Sequence, residues 1–333
     1  MRLNIGLCRA VALRVATALV LLGALSTGHA ESLSLDLAVS KGSVSLPIYV
    51  AQANGYFERE GVKVKLHECS SGKDCVRLLT EGQVSAATAA ELIATLNGLA
   101  HPDLAYIASI SASSHQIKLV ARKAAGIALP SDIVGKRIGT VMGSSAQYFL
   151  SSWLLFHDIP QERVKIVPVA PDQAAAALSR GDIDVLSIWE PMASAAQKAP
   201  GVEGALLPNP RVYTQHFGLI TTRRAVQSQE AALRGLLRAL LSAERFIAEE
   251  PVKAREVLIA RQGIPLALAQ EHLREHDFRI RLDQALVSTM SSQRRWAAQE
   301  HLLPAPESKA SAASVIEPAL LRSLAPQAVT LVR

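Results

Sequence analysis

Two segments place polar and aromatic side chains where strands of an α/β sheet are expected to end. Trp189 and Glu190 close an apolar run over residues 183–188, and Ser144 and Ser145 follow a predicted strand over 137–141. Ligands of open α/β sheets bind at the carboxyl ends of strands. An aromatic ring can cover an organic group, while a serine at a helix start, with its free N–H groups, favours an anion.

Other predicted strand-end loops carry further candidate ligand contacts: Lys41, Ser43, Ser71, Thr88, Ala89 and His216. Each candidate also has a plain structural interpretation. Serine and threonine are preferred helix caps, and a loop lysine is commonly solvated. A tryptophan at a strand end can pack inside its own domain, and a histidine beside a strand is commonly structural. The sequence alone leaves these alternatives open.

The Glu190 carboxylate bears on the charge of any ligand. A carboxylate in the pocket would attract an amino group, so it favours a zwitterion such as an aminosulfonate. It would repel a simple anion unless a cation such as Lys41 compensates. Glu190 can instead cap a neighbouring helix. We therefore expect an aminosulfonate to fit better than bare nitrate or sulfate, provided that Glu190 faces the ligand.

Cys69 and Cys75 are the two cysteines that remain after the predicted leader. An exported chain meets an oxidising compartment, where an even number of cysteines favours a disulfide. The bridge would close a small loop and stabilise the fold by roughly 2 kcal/mol. Two buried thiols that pack as small apolar side chains are the alternative.

One enzyme motif occurs in the chain. His272, Glu275 and His276 match H-x-x-E-H, the pattern of inverted zinc peptidases. Two histidines four residues apart share one helix face and can bind a single zinc ion. The pattern lies in a helical C-terminal segment and has no evident third ligand. A secreted zinc hydrolase is therefore the alternative function, and a solvated helix face is the structural one.

Predicted strands alternate with predicted helices through the first two thirds of the chain. This alternation indicates βαβ units and a mainly parallel sheet. A break over 123–130 precedes a second alternating unit, and a strand near residues 216–222 is expected to return to the first unit. From residue 228 the apolar residues recur at helical spacing. The fold class is therefore α/β, with a helical C-terminal segment.

Four motifs in order along the chain resemble one known family. They are residues 47–61 with Gly-Tyr-Phe at 55–57, the strand over 135–140, the turn and strand over 181–191, and Trp296 near the end. The chain resembles the periplasmic solute-binding proteins of ABC importers, in the nitrate/sulfonate/taurine group. The resemblance implies a bilobal type II binding-protein fold, with two mainly parallel sheets flanked by helices and a cleft between the lobes.

The resemblance and the pattern together predict the domain bounds. The first lobe covers 31–122 and 217–303, the second lobe covers 123–216, and a loose linker with a short helix covers 304–333. The lobes are expected to close by a hinge near Lys123 and Phe217. The implied function is capture of a small solute and its delivery to an ABC permease, without catalysis, by a monomer that needs no cofactor.

Residues 1–30 have the pattern of a secretory signal peptide, and an uncleaved membrane anchor is the alternative. Three arginines precede or begin a short apolar stretch, and Gly28 and Ala30 suit cleavage before Glu31. The net charge of the 333-residue chain falls from +6 to +3 without those arginines. The chain has no basic run with interleaved aromatic residues, so nucleic acid is not an expected partner. The expected location is the periplasm.

Overall fold

The computed structural model describes residues 33–303 and 312–332. Its first sheet has the strand order β2-β1-β3-β10-β4, in which β10 runs antiparallel to both neighbours. The strands β1 and β2 pair in parallel along eight residues, as the alternation of apolar residues from Leu33 predicts. The strands of this sheet are β1 Leu33–Ser40, β2 Val62–Cys69, β3 Ala86–Ala90, β4 Leu104–Ser113 and β10 Gln215–Thr222.

The second sheet has the order β7-β6-β8-β5-β9, and it repeats the parallel arrangement of the first. Strand β6 pairs in parallel with β7 and β8, whereas β5 is antiparallel to β8 and β9. Two mainly parallel sheets were expected, and they are present. The strands are β5 Ile117–Ala121, β6 Arg137–Thr140, β7 Lys165–Pro168, β8 Val185–Trp189 and β9 Ala205–Leu206; a small separate pair joins β11 Leu282–Asp283 to β12 Val329–Thr330.

Helices flank both sheets and dominate the C-terminal third. Those of the two α/β units are α1 Leu46–Ala53, α2 Tyr56–Arg59, α3 Gly72–Thr80, α4 Glu91–Asn97, α5 Ser145–Phe156, α6 Ala174–Arg180 and α7 Met192–Gln197. The later ones are α8 Arg223–Ser228, α9 Glu230–Glu249, α10 Pro251–Gln262, α11 Leu266–Glu275, α12 Gln284–Gln299 and α13 Ala319–Leu324. Helix α9 buries the leucine stripe that its spacing predicts. No helix in the described segments is long and apolar enough to cross a membrane.

The chain passes between the sheets at two places, and one differs from the prediction. Strand β5 belongs to the second sheet, where Ile117 lies opposite Trp189. The first crossing therefore lies at residues 114–116, before β5, and not near Lys123. The second crossing ends at Gln215, where β10 begins. The glycine and proline residues at 126–130 form a surface turn within the second lobe, and this turn resembles a domain boundary in the sequence.

Each lobe has its own apolar core. The core of the first lobe contains strands β1–β4 and β10 together with helix α9, and the second sheet has an apolar cluster on each face. A smaller cluster places Trp296 of α12 against Tyr148 of α5, with ring centroids 5.2 Å apart. The C-terminal helices therefore pack on the first lobe and also contact the second. The predicted leader and residues 304–311 of the predicted C-terminal segment lie outside the described residues, and the short helix expected in that segment is α13.

Candidate ligand-binding site

A cleft of about 290 Å³ lies between the two lobes, at the carboxyl ends of their parallel strands. This is where an open α/β sheet places its ligand. The first lobe lines it with Ser40, Lys41, Val44, Ser71, Gly72, Lys73, Asp74, Ala90 and Ile93. The second lobe contributes Val141, Met142, Gly143, Ser144, Ser145, Pro171 and Trp189, and the crossing segments add Gln116, Gln215 and Phe217.

Two helix N-termini open onto this cleft, one from each lobe. Ser71 caps α3, where its hydroxyl accepts the Asp74 N–H at 3.2 Å. Ser144 caps α5, where its hydroxyl accepts the Ala146 N–H at 3.2 Å. The other N–H groups of a first helical turn have no partner within the helix, and the helix dipole is positive there. Both lobes therefore present an environment that favours a negative charge.

The charged side chains of the cleft come from the first lobe. Lys41 pairs with Glu68 at 3.5 Å while its side chain stays 61% exposed, and Lys73 is exposed at the start of α3. Asp74 is the one carboxylate among the described residues of the cleft. One oxygen of its carboxylate accepts a hydrogen bond from the Ser71 hydroxyl at 2.8 Å. The remaining wall is largely apolar, with Trp189 and Phe217 as its aromatic rings.

A disulfide fixes the loop that carries the first of these N-termini. Cys69 ends β2 and Cys75 lies in the first turn of α3, and the two are bonded with their Cα atoms 5.6 Å apart. The enclosed loop holds Ser71 and Lys73. The close packing of α3 against the end of β3 also requires Gly72, because a Cβ there would come within 2.8 Å of the Ala89 Cβ.

Five of the ten sequence-predicted contacts line the cleft: Lys41, Ser71, Ser144, Ser145 and Trp189. The other five are buried elsewhere: Ser43, Thr88, Ala89, Glu190 and His216. The Thr88 hydroxyl accepts the Ser40 N–H at 2.9 Å, so it supports the loop behind the cleft. Ala89 lies behind Gly72. Ser43 is 2% exposed, in a 3-10 turn before α1.

The expectation that Glu190 meets a ligand amine is not met by this geometry. Its side chain is 1% exposed and points away from the cleft, opposite to Trp189. Its carboxylate accepts the N–H and the hydroxyl of Ser194, both at 3.0 Å, and pairs with Lys118 at 3.2 Å. Glu190 therefore caps helix α7, which is the structural role that the sequence left open.

His216 lies behind the cleft, in a buried network centred on Glu91. The Glu91 carboxylate accepts hydrogen bonds from the backbone N–H of His216 at 2.9 Å, the Tyr213 hydroxyl at 2.5 Å and the side-chain amide of Gln293 at 2.6 Å. Burial raises the pKa of Glu91 to about 7, against the lowering effect of these donors. Burial also lowers the pKa of His216 to about 4, so its ring is neutral at pH 7.

A second, partly buried cluster surrounds Lys118 on β5. Its ammonium group lies 2.7 Å from Glu271, 3.2 Å from Glu190 and 3.6 Å from Glu275. Burial alone would lower the pKa of Lys118, but the Glu271 hydrogen bond and the nearby carboxylates raise it above its ordinary value. Lys118 therefore stays charged and joins the second sheet to helix α11.

The H-x-x-E-H motif lies at the end of α11, beside this cluster, with His276 as the extended C-cap residue rather than within the helix. His272 and His276 are both buried, and burial lowers the pKa of each ring, to about 3 for His276. No group of three or more histidine, cysteine or acidic side chains in residues 33–303 and 312–332 is arranged to hold a metal ion. The zinc-hydrolase alternative therefore has no support from the site.

Gln116, Gln215 and Phe217 line the cleft, and the sequence analysis did not select them. Gln116 lies at the first passage between the sheets, and Gln215 and Phe217 lie at the start of β10, so a correct position for the first crossing would have indicated Gln116. Met142 and Gly143 also line the cleft, in the loop directly before Ser144. That loop was indicated only through its serines.

Comparison with known families identifies the chain. A family model described as NMT1/THI5-like matches residues 43–254, which cover both lobes. The chain belongs to the NMT1/THI5-like family. Curated relatives of this NMT1/THI5-like protein include the taurine-binding periplasmic protein of Escherichia coli, which is 29% identical over 54% of this chain and 55% of the relative. The putative aliphatic sulfonates-binding protein of Bacillus subtilis is 25% identical over 57% and 59%.

The matched part of this chain spans little more than half the length of those two relatives. A solved structure supports the fold over nearly the full length. The alkanesulfonate-binding protein of Xanthomonas axonopodis pv. citri, bound to MOPS, superposes with a TM-score of 0.74. The superposition covers 87% of this chain and 99% of that one, at 18% identity. The bilobal binding-protein fold expected from the sequence is thus confirmed.

Proposed function

We propose that this NMT1/THI5-like protein is the solute-binding component of an ABC importer. It captures a small organic anion between its lobes in the periplasm and delivers it, unchanged, to a membrane permease. The observation that carries the proposal is that the N-termini of α3 and α5 open onto one cleft from opposite lobes. An anion that contacts both N-termini would favour the closed arrangement of the lobes. The names of the two curated relatives agree with this role.

The ligand that we propose is a sulfonate with an uncharged, apolar tail. The anionic head would lie near the helix N-termini and Lys73, and the tail would contact Trp189 and Phe217. An ammonium group on the tail would lose its hydration there, because Asp74, the one carboxylate among the described residues of the cleft, lies in the first turn of α3, beside the proposed position of the anionic head. The buried position of Glu190 thus reverses the preference for a zwitterion that the sequence suggested.

Isothermal titration of the purified mature protein tests this proposal. We expect butane-1-sulfonate to bind at least about tenfold more tightly than taurine, which corresponds to about 1.4 kcal/mol for the unpaired ammonium group. Nitrate, which has no tail to contact the aromatic wall, should bind more weakly than butane-1-sulfonate. Sedimentation of the same sample tests the monomeric state. Tighter binding of taurine would contradict the proposed ligand, and failure of all three anions to bind would contradict the function.

A further inference from the structure

The passage from β4 to β5 places a glutamine in the wall of the cleft. Gln116 is 3% exposed, and its backbone carbonyl accepts the Glu190 N–H at 2.9 Å. Its side-chain nitrogen donates to the Glu190 carbonyl at 3.0 Å. An amide nitrogen carries two hydrogens. The hydrogen bonds of the described residues use one of them and leave the second without a protein partner.

The other end of the same amide contacts His276. Because the Gln116 nitrogen faces the Glu190 carbonyl, the oxygen Oε1 is the atom that lies 2.9 Å from His276 Nε2. That oxygen accepts no other hydrogen bond from the described residues. A hydrogen bond between these two atoms therefore requires His276 Nε2 to carry the ring proton, because an amide oxygen only accepts.

Only the tautomer of a neutral His276 that carries its proton on Nε2 donates to Gln116. The Nδ1 atom lies 2.8 Å from the His272 carbonyl, an oxygen that can accept a second hydrogen bond beside the His276 backbone N–H at 3.2 Å, so the two acceptors compete for the one ring proton. The ring is held in position by stacking on Phe278, with centroids 5.5 Å apart and planes 11° apart. The imidazole can thus fix the direction of the Gln116 amide.

We propose that Gln116 contacts the ligand through its second amide hydrogen, and that His276 is a positioning residue that orients this amide. The donor lies at the crossing between the lobes, where it would reach a ligand held by both helix N-termini. This inference rests on the proposed function and adds a specificity-determining donor to it. It also gives the last histidine of the H-x-x-E-H motif a role that requires no metal.

Five variants separate contact, positioning and general damage to the fold. Gln116→Ala removes the donor, and Gln116→Glu replaces it with a carboxylate of similar shape. His276→Phe keeps an aromatic ring but removes the donor, whereas His276→Gln restores a donor of similar reach. His272→Phe is the matched control, because His272 is a buried histidine on the same helix whose ring nitrogens have no hydrogen-bond partner.

Titration with butane-1-sulfonate measures the contact. Gln116→Ala should weaken binding about tenfold, as expected for a hydrogen bond to a charged group, and Gln116→Glu should weaken it further by repulsion. His276→Phe should weaken binding about threefold to tenfold, His276→Gln should restore it to within about twofold, and His272→Phe should match the wild type. Combining Gln116→Ala with His276→Phe should be no worse than Gln116→Ala alone. Unchanged affinity in Gln116→Ala, or additive losses in the double variant, would overturn the proposal.

Nuclear magnetic resonance of the ligand-free protein tests the positioning role independently. The side-chain amide signals of Gln116, assigned by their loss in Gln116→Ala, should shift in His276→Phe and stay in place in His272→Phe. Unshifted signals in His276→Phe would overturn the role of His276. If the wild-type protein binds no sulfonate, the ligand contact is overturned together with the proposed function, and these spectra still decide whether His276 orients Gln116.

Discussion

Two polar clusters link the lobes, a buried one around Glu91 and a partly exposed one around Lys118, and their carboxylates differ in pKa. Around Glu91 the partners are a hydroxyl and amide groups, all neutral, and burial raises the pKa of the carboxyl to about 7. Around Lys118 the partner is a cation: its hydrogen bond lowers the pKa of Glu271, whereas burial still raises the pKa of Glu275, whose carboxylate lies 3.6 Å from the same ammonium group. Neutral donors thus only partly offset the loss of hydration, whereas a charged partner can keep a carboxylate ionised.

The largest effect is expected from removing the cation. Lys118→Met leaves Glu190, Glu271 and Glu275 without their common partner, and it should lower the free energy of unfolding by about 3 kcal/mol at pH 7. Urea unfolding measures this loss. Adding Glu271→Gln and Glu275→Gln to Lys118→Met should recover part of the stability, because fewer carboxylates then repel one another. Lys123→Met, at an exposed ion pair with Glu203, is the control. A Lys118→Met protein as stable as that control would contradict the comparison.

The pH dependence of stability tests the neutral cluster. The pKa of Glu91 is raised in the folded protein, so its contribution to stability is complete below pH 4.5 and is lost as the pH rises to about 7. That loss amounts to about 3 kcal/mol. We expect the difference in unfolding free energy between the wild type and Glu91→Gln to change by this amount between pH 4.5 and 7.5. A difference that does not vary with pH would show that folding does not raise the pKa of Glu91.

Removing one neutral donor to Glu91 should have a smaller effect on the pH dependence of stability. Tyr213→Phe removes the hydroxyl that donates to Glu91, so the pKa of Glu91 should rise further and the pH-dependent loss should extend to higher pH. The free energy of unfolding of Tyr213→Phe should also fall by about 1 kcal/mol, because one hydrogen bond is lost. Tyr148→Phe, in the ring that packs edge-on against Tyr213, is the matched control. Identical pH profiles for the two variants would show that the Tyr213 hydroxyl does not affect Glu91.

The sequence predicted the strand ends better than the directions of individual side chains. Ser71 and Ser144 were selected because small hydroxyl residues precede helices, and both are caps at the cleft. Trp189 and Glu190 were selected together, although neighbouring residues in an extended chain point in opposite directions. Since Trp189 lines the cleft, Glu190 faces away from it. The alternation rule alone would have separated the two.

The crossing segments were harder to predict. Strand β5 is a short apolar run that suits either sheet, and only its pairing with β8 assigns it to the second lobe. No sequence pattern indicates the contact between Gln116 and His276, because these residues are 160 positions apart in the chain. A single sequence records no such long-range contact. The function of a polar residue near a crossing therefore requires the three-dimensional structure.

The disulfide between Cys69 and Cys75 has a practical consequence for anyone who prepares this protein. It ties the start of α3 to the end of β2, whereas the opposing loop before α5 contains Gly143 in a left-handed conformation and no such crosslink. In a sample made under reducing conditions, the first-lobe loop keeps non-covalent contacts such as the Ser71 cap and the packing of Gly72 against Ala89 but loses its crosslink. The oxidation state of a preparation should therefore be recorded with every measured affinity.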